Sequence, residues 1–320
     1  MGTAFSFSKN IFLGDAMYRE IVSYPHIGSY SALLLAGFFA AYLLARRRAK
    51  KNGIEGRHID NIALLLPVVC LMGARFFSRL FDFSPPIGFL ESLKIWKGGG
   101  LVFYGGMVFG VIAIIAYVKA TKIRLLEFSD VLAPSLALGL AFGRVGCFLS
   151  GCCWGDVCVD PARLNSVTNS LTHFQLRTFP SLSSPNLFFA VQFPPDTGAY
   201  EQHLRLGLIP AKAAHSLPVH PTQLYEAISV LGLCLFLNIG SNRRRTRGEI
   251  ISEFCVGYGS IRFFVEFFRA DTPPVYFGMS ISQVISIGIA CVGLALFIFV
   301  RKSHQKPATI PGTPRVELIA

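Results

Sequence analysis

The sequence predicts an all-α integral membrane protein of about seven transmembrane helices carrying an exported head or cap loop, and three observations lead there. Of 320 residues, 52% are hydrophobic and only 15% charged, where soluble domains carry about 25% charged residues. Long apolar runs recur, at residues 27–45, 101–118, 221–239 and 280–300, the last without a charge; a helix needs about 20 such residues to cross the hydrocarbon core. The third observation is where the cations fall. Arg46, Arg47, Arg48, Lys50, Lys51 and Arg57 follow the first run, and Lys119, Lys122 and Arg124 follow the third. Arg243, Arg244, Arg245 and Arg247 follow the fifth, and Arg301, Lys302 and Lys306 follow the seventh. Every second connection is therefore basic.

Three further spans, residues 59–81, 128–149 and 249–268, are expected despite the charges they carry. The runs are continuous, whereas strands of a membrane β-barrel would be short and alternating. By the positive-inside rule the N-terminus lies outside and the C-terminus in the cytoplasm, so the net charge of +12 expresses topology and not nucleic-acid binding. Residues 1–26 form an outside segment without the basic and apolar regions of a cleaved leader, and the first span serves as the targeting signal. Residues 27–149 hold spans one to four and an outer loop, 82–100, with Pro85, Pro86, Trp96 and Lys97 before a glycine cluster. Residues 150–219 exceed the usual connection of about 4–6 residues and form the exported head or cap. Residues 220–300 hold spans five to seven and 301–320 a polar tail. No internal repeat suggests a transporter of inverted halves.

Charges inside the spans mark the candidate site. Arg75, Arg79, Arg144, Arg262, Glu226 and Glu266 fall within or at the ends of predicted helices, where a central charge costs at least about 2.5–3.5 kcal/mol. Snorkelling or interhelical pairing accounts for Arg79; Arg75 is open between pairing and function. Arg144 lies among Gly139, Gly143 and Gly146, and Arg262 follows Gly257 and Gly259, small residues that let helices and ligands approach the backbone. Two guanidiniums facing one interior would make a phosphate site, because the planar fork matches phosphate oxygens in pairs. Glu266 and Arg269 share a helix face with Arg262. Glu266 is expected to orient that arginine, and Arg269 to gate the site or touch a headgroup. Five glycines among residues 98–106, with Tyr104 in their midst, bring backbone N–H groups toward a bound group; the alternative for Tyr104 is an interfacial belt position.

Taken together, these segments resemble the prolipoprotein diacylglyceryl transferase family. The resemblance rests on Gly-Gly-Leu-x-Phe-x-Gly-Gly over residues 99–106, and on Gly143-Arg144-Val145-Gly146 leading to Trp154-Gly155. It rests also on His220-Pro221-Thr222-Gln223-Leu224-Tyr225-Glu226 and on residues 257–269 from Gly257-Tyr258-Gly259 through Arg262 and Glu266 to Arg269. Tyr30 matches a family tyrosine near the outer end of the first span. The resemblance covers roughly residues 27–300, in order, and implies a multi-pass protein of the bacterial inner membrane with a periplasmic cap. It implies transfer of the sn-1,2-diacylglyceryl group of phosphatidylglycerol to the lipobox cysteine of exported prolipoproteins, releasing glycerol phosphate. Arg144, Arg262 and Tyr104 then stand at catalytic positions, and Tyr30, Gly105, Gly106, Gly155, His220, Gln223, Tyr258, Glu266 and Arg269 at substrate-binding ones. The expected partners are phosphatidylglycerol, lipobox-containing prolipoproteins and the bilayer, with no cofactor and no metal.

The chain departs from the family pattern at three places. Tyr104 stands where many members have histidine, Cys147 where asparagine follows Gly-Arg-x-Gly, and Cys152 at the acidic position of the next loop. A phenol, with reference pKa about 10, is a poor base at neutral pH. The step that makes the acceptor thiolate is thus open between Tyr104 and acidity lent by the arginines. Of eight cysteines, Cys70, Cys234, Cys255 and Cys291 lie in spans as apolar fillers, while Cys147, Cys152, Cys153 and Cys158 cluster at the outer face. A disulfide to Cys158, free thiols, and a metal site lacking a nearby histidine ligand are the readings there. Alternatives from other classes are a phospholipid-dependent transferase with another acceptor, a noncatalytic lipid-binding scaffold, and a seven-helix transporter.

Overall fold

The computed structural model describes residues 20–23, 26–81, 103–158, 190–240, 246–269 and 278–305. The 82–100 loop, the glycines at 98–100, most of residues 1–26, much of the 150–219 segment expected to form a head, Arg243 to Arg245, the tail beyond Gln305 and the Arg79 side chain lie outside the described residues.

A short antiparallel hairpin, β1 (Glu20–Ser23) and β2 (His26–Gly28), opens the described chain. The rest is helical: α1 (Ser29–Lys51), α2 (Gly56–Phe81), α3 (Phe103–Thr121), α4 (Leu125–Leu149), the short α5 (Gly198–Arg205), α6 (Thr222–Gly240), α7 (Glu249–Glu266) and α8 (Ile281–Gln305). All of the long helices but α7 are long and apolar enough to cross a bilayer. Helix α7 carries Glu249, Glu253, Arg262 and Glu266, so its apolar character is diluted by the residues that make the site. Helix α1 outruns its apolar core: Arg48, Lys50 and Lys51 occupy its last turn, because long basic side chains favour helix and sit well at its negative end.

Helix α4 is central, packed on α1, α6 and α7, with α8 against α7 and the α2–α3 pair joined through α1. Glycines set the separations. A Cβ at Gly259 would stand 2.7 Å from the Ser286 carbonyl oxygen, and one at Gly293 2.9 Å from that of Ser252, so α7 and α8 touch backbone to backbone, the packing bilayer helices favour. Large apolar side chains face outward, among them Leu64, Ile228, Ile239, Phe264, Val292 and Phe299. With polar groups turned inward, this is a surface suited to lipid.

At the end of the bundle where the basic connections lie, one proline organises the packing. Pro134 lies inside α4 and has no N–H to offer the carbonyl of Asp130 four residues earlier. The Arg48 guanidinium donates to that carbonyl instead, at 3.1 Å, and also to Asn238 at 3.0 Å. The Asp130 carboxylate accepts from the Gly248 and Ile251 N–H groups at 2.6 and 2.8 Å, satisfying exposed donors at the start of α7.

At the opposite end the described part of the head packs on Phe148, Val157, Val191, Phe193, Ala199 and Val219. Trp154 Nε1 donates to Gln202 at 3.1 Å. Burial holds His203 at a pKa of about 4, and its neutral Nδ1 accepts the Leu217 N–H at 3.2 Å.

Candidate active site

Each ionised side chain buried between the helices needs a partner, because water is excluded there. Five of them satisfy one another in a chain. Arg144 Nε lies 2.9 Å from Glu226 Oε1, and Arg262 Nη1 3.4 Å from Glu226 Oε2. Arg262 Nη2 then reaches Glu266 at 2.8 Å, and Arg269 Nη1 lies 3.7 Å from the same oxygen. Three helices and a turn contribute: α4 gives Arg144, α6 Glu226, α7 Arg262 and Glu266, and the turn after α7 Arg269. Helical spacing puts Arg262, Glu266 and Arg269 in one row, while Glu226 bridges that row to Arg144. Its carboxylate side chain is 2% exposed, whereas Arg144 keeps 18%.

The start of α8 closes the row. Ser280 and Gln283 form a reciprocal cap: Ser280 N–H donates to Gln283 Oε1 at 2.9 Å and Gln283 N–H to Ser280 Oγ at 3.2 Å. The same serine hydroxyl donates to Glu266 Oε1 at 2.8 Å. Ser282 accepts from Arg262 at 3.3 Å and meets the Tyr104 hydroxyl at 3.0 Å, so Tyr104 touches the arginine row through one hydroxyl. Tyr258 lies against Arg144 and stacks on Phe254.

The other expected positions are distributed as follows. Tyr30, at the start of α1, lies on Gly146 and faces Arg144 and the cysteines. Gly105 and Gly106 sit on the face of α3 that meets α2, where a Cβ at Gly106 would come within 2.9 Å of the Cys70 carbonyl oxygen. Gly155 lies where three backbone segments cross. Its N–H donates to the His220 carbonyl at 2.9 Å, Asp156 N–H to Phe268 O at 2.8 Å, and a Cβ would strike both carbonyls at 2.6 and 2.7 Å. The His220 ring packs on Phe268 and meets the Tyr225 hydroxyl at 3.2 Å; burial lowers its pKa. Gln223 donates to the Cys152 carbonyl at 2.7 Å and Thr222 to that of Cys153 at 2.9 Å, fixing the loop after α4.

All eight cysteines are free thiols. Cys158 is buried apart from the others, and desolvation with neighbouring Asp156 pushes its pKa to about 12. The sulfurs of Cys147, Cys152 and Cys153 lie within 4.8 Å of one another. Hydrogen bonds from the Cys147 and Cys152 thiols, then the Arg269 and Arg144 charges, hold the Cys153 thiol well below its ordinary range.

Ser280, Ser282 and Gln283 are additions to the expected site, and Glu226, expected only as a charge within a span, gains a role in it. Ser280-x-x-Gln283 is the sequence signature of a helix start. Glu226 was visible as a charge within a span, but nothing local assigns its partners.

Fold and site together define a polytopic membrane protein with a cluster of buried guanidiniums at one end of its bundle. Residues 19–299 match the family model of prolipoprotein diacylglyceryl transferase, and the chain belongs to that family of transferases. It is 30% identical over 296 residues to the phosphatidylglycerol–prolipoprotein diacylglyceryl transferase of Proteus mirabilis, covering 89% of this chain and 90% of the relative. The enzyme so named in Clostridium tetani is 30% identical over 271 residues, covering 85% and 92%. That of Photorhabdus laumondii is 32% identical over 285 residues, covering 86% and 89%.

Proposed function

We propose that this protein transfers the sn-1,2-diacylglyceryl group of phosphatidylglycerol to the lipobox cysteine thiol of exported prolipoproteins. The observation that carries this reading is the pair of guanidiniums, Arg144 and Arg262, held on the two oxygens of one buried carboxylate, Glu226. Phosphatidylglycerol carries one negative charge on its phosphodiester. As the acceptor sulfur bonds to the glyceryl carbon, the carbon–oxygen bond breaks and the leaving phosphate gains a second negative charge. Fixed guanidiniums therefore bind the transition state more strongly than the lipid, which is the condition for accelerating the step. Arg144 is the most open of the three and receives the phosphate first; Arg262, held by Glu226, Glu266 and Ser282, completes the fork.

The decisive experiment is complementation of a bacterial strain depleted of its own transferase, joined to transfer from phosphatidylglycerol to a lipobox peptide read as a mass gain. Arg144→Ala and Arg262→Ala should insert yet abolish lipidation, and lysine should rescue poorly because it lacks the fork. Full activity in either alanine variant removes phosphate anchoring from the mechanism. The site faces outward in an inner-membrane protein whose N-terminus is outside and whose C-terminus is cytoplasmic. A reporter fused after Arg247 should respond from the cytoplasm and one within residues 165–200 from the exterior, and the reverse pattern would invert this arrangement.

A further inference from the structure

We infer that Cys147, Cys152 and Cys153 form a three-thiolate site for Zn²⁺ whose open fourth position takes the acceptor cysteine thiol. This rests on the transferase reading and supplies what that reading lacks, a means of making the acceptor thiolate. It departs from the expectation that no metal takes part.

Geometry comes first. Tetrahedral zinc with bonds of about 2.3 Å sets its sulfurs about 3.8 Å apart, and the three sulfurs here lie within 4.8 Å of one another. Each has to move inward by at most about 0.6 Å to meet a common ion. The backbone beneath them is held from outside the loop: Gln223 and Thr222 donate to the carbonyls of Cys152 and Cys153, and Cys152 N–H donates to Cys147 O at 3.1 Å. All three residues are half-buried, so a fourth ligand can reach them.

Charge favours occupancy too. Three thiolates and one dication sum to minus one, and Arg269 and Arg144 face Cys153. Thiolate donors select soft ions, chiefly Zn²⁺, Cu⁺ and iron–sulfur clusters; zinc has no redox chemistry and, with three protein ligands, keeps a position open.

The reaction needs such a site. An ordinary thiol, of pKa about 8.5, is mostly protonated at neutral pH. The nearby bases are engaged: Glu226 and Glu266 with arginines, His220 with Tyr225, Tyr104 with Ser282. A metal ion deprotonates a bound thiol outright, and the proton leaves to water. An ion held by Cys147, Cys152 and Cys153 would present the acceptor sulfur as a thiolate; that sulfur would attack the glyceryl carbon, the carbon–oxygen bond would break, and the electron pair would go to the phosphate oxygen facing Arg144. The product is a thioether, a weak ligand compared with a thiolate, so it dissociates and frees the position.

The test uses the full-length protein in nanodiscs containing phosphatidylglycerol, titrated with Co²⁺ as a coloured stand-in for zinc. One equivalent should bind with a thiolate-to-cobalt charge-transfer band that Zn²⁺ abolishes. Cys147→Ser, Cys152→Ser and Cys153→Ser should each weaken Zn²⁺ binding by about a hundredfold or more, while Cys158→Ser, on the buried cysteine outside the trio, should not. A lipobox peptide should shift the cobalt spectrum and its Cys→Ser counterpart should leave it alone. No cobalt band with eight titratable thiols per chain, a band untouched in all three serine variants, or a disulfide within the trio in protein isolated from membranes would overturn the inference. Transfer assays separate it from the reading beneath it. Full transfer by zinc-free protein in the presence of a chelator refutes the metal and leaves the transferase standing; a peptide-responsive cobalt spectrum without any diacylglyceryl transfer supports the metal site and refutes the transferase.

Discussion

Glu226→Gln is the most discriminating single change, because it removes one charge from the middle of the row and almost no volume. In the native protein the carboxylate stands 2.9 Å from Arg144 and 3.4 Å from Arg262, nearly without exposure. At the effective dielectric of about 20 suited to such sites, these contacts are worth about 6 and 5 kcal/mol of gross Coulomb attraction. Desolvation offsets much of that, and removing one partner of a buried pair has a net cost of about 3–5 kcal/mol, since the other charge is left uncompensated. Here two guanidiniums are left facing each other. The expected result is a loss of that order in unfolding stability, measured in nanodiscs of zwitterionic lipid, with transfer activity falling together with it.

A phosphodiester placed between Arg144 and Arg262 supplies the missing negative charge, so phosphatidylglycerol should narrow the stability gap between Glu226→Gln and the native protein, whereas a neutral lipid should not. Combining Glu226→Gln with Arg144→Gln should cost less than the sum of the single changes, because the second substitution removes the repulsion the first exposes. Equal unfolding midpoints for variant and native protein in both lipids, or strict additivity, would refute the charge bookkeeping and the anion site built on it.

Three other expectations follow from the structure. Asp130→Ala, which strips two N–H groups of α7 of their acceptor, should destabilise the protein by about 2–4 kcal/mol without changing the residual activity per folded molecule, checked by unfolding and by active-fraction titration. His203 has a folded pKa of about 4 against 6.5 for the ordinary group, so the unfolded head binds the extra proton between those values. Head stability should therefore be full above pH 6.5 and fall toward pH 4 by at most about 3 kcal/mol; hydrogen exchange across α5 should show this, and His203→Gln should flatten it. Tyr104→Phe removes one hydrogen bond to Ser282 and should slow transfer roughly tenfold, about 0.5–1.5 kcal/mol, with the pH profile unmoved; a thousandfold loss restored by Tyr104→His would make residue 104 the general base.

What could be seen in the sequence was whatever local spacing encodes. The apolar runs locate the long helices, and the separations of four and three residues place Arg262, Glu266 and Arg269 on one face. Those relations follow from the helix alone. The link from Glu226 to both arginines depends on how α6 packs against α4 and α7, across 36 residues in one case, and no periodicity reports it. The cysteine trio has the same character. Cys147 lies in the last turn of α4, while Cys152 and Cys153 follow in a turn where Gly151 and Cys153 both have positive φ, 65° and 60°, and that turn brings the sulfurs together. Gly105 and Gly106 show how one residue type serves two ends: a glycine pair opening a helix suits a bound anion, yet these two lie against α2, where small size permits backbone approach.

The polarity of α7 then has a physical explanation. A helix bearing Glu249, Glu253, Arg262 and Glu266 is a poor candidate for spontaneous burial in lipid, since each central charge alone would cost at least about 2.5–3.5 kcal/mol. In the bundle Arg262 meets two carboxylates, Glu266 meets two guanidiniums and the Ser280 hydroxyl, and Glu249 meets Arg301 at 2.9 Å. These partners come from α6, α8, the residue before α8 and the turn after α7, so α7 is stable at its depth only once its neighbours are in place. The row opens at Arg144, whose side chain keeps 18% exposure. In the proposed reaction an anionic lipid headgroup meets the row where it opens beside Arg144, so the guanidiniums that the bundle has to compensate are also the groups that draw the phosphate into position.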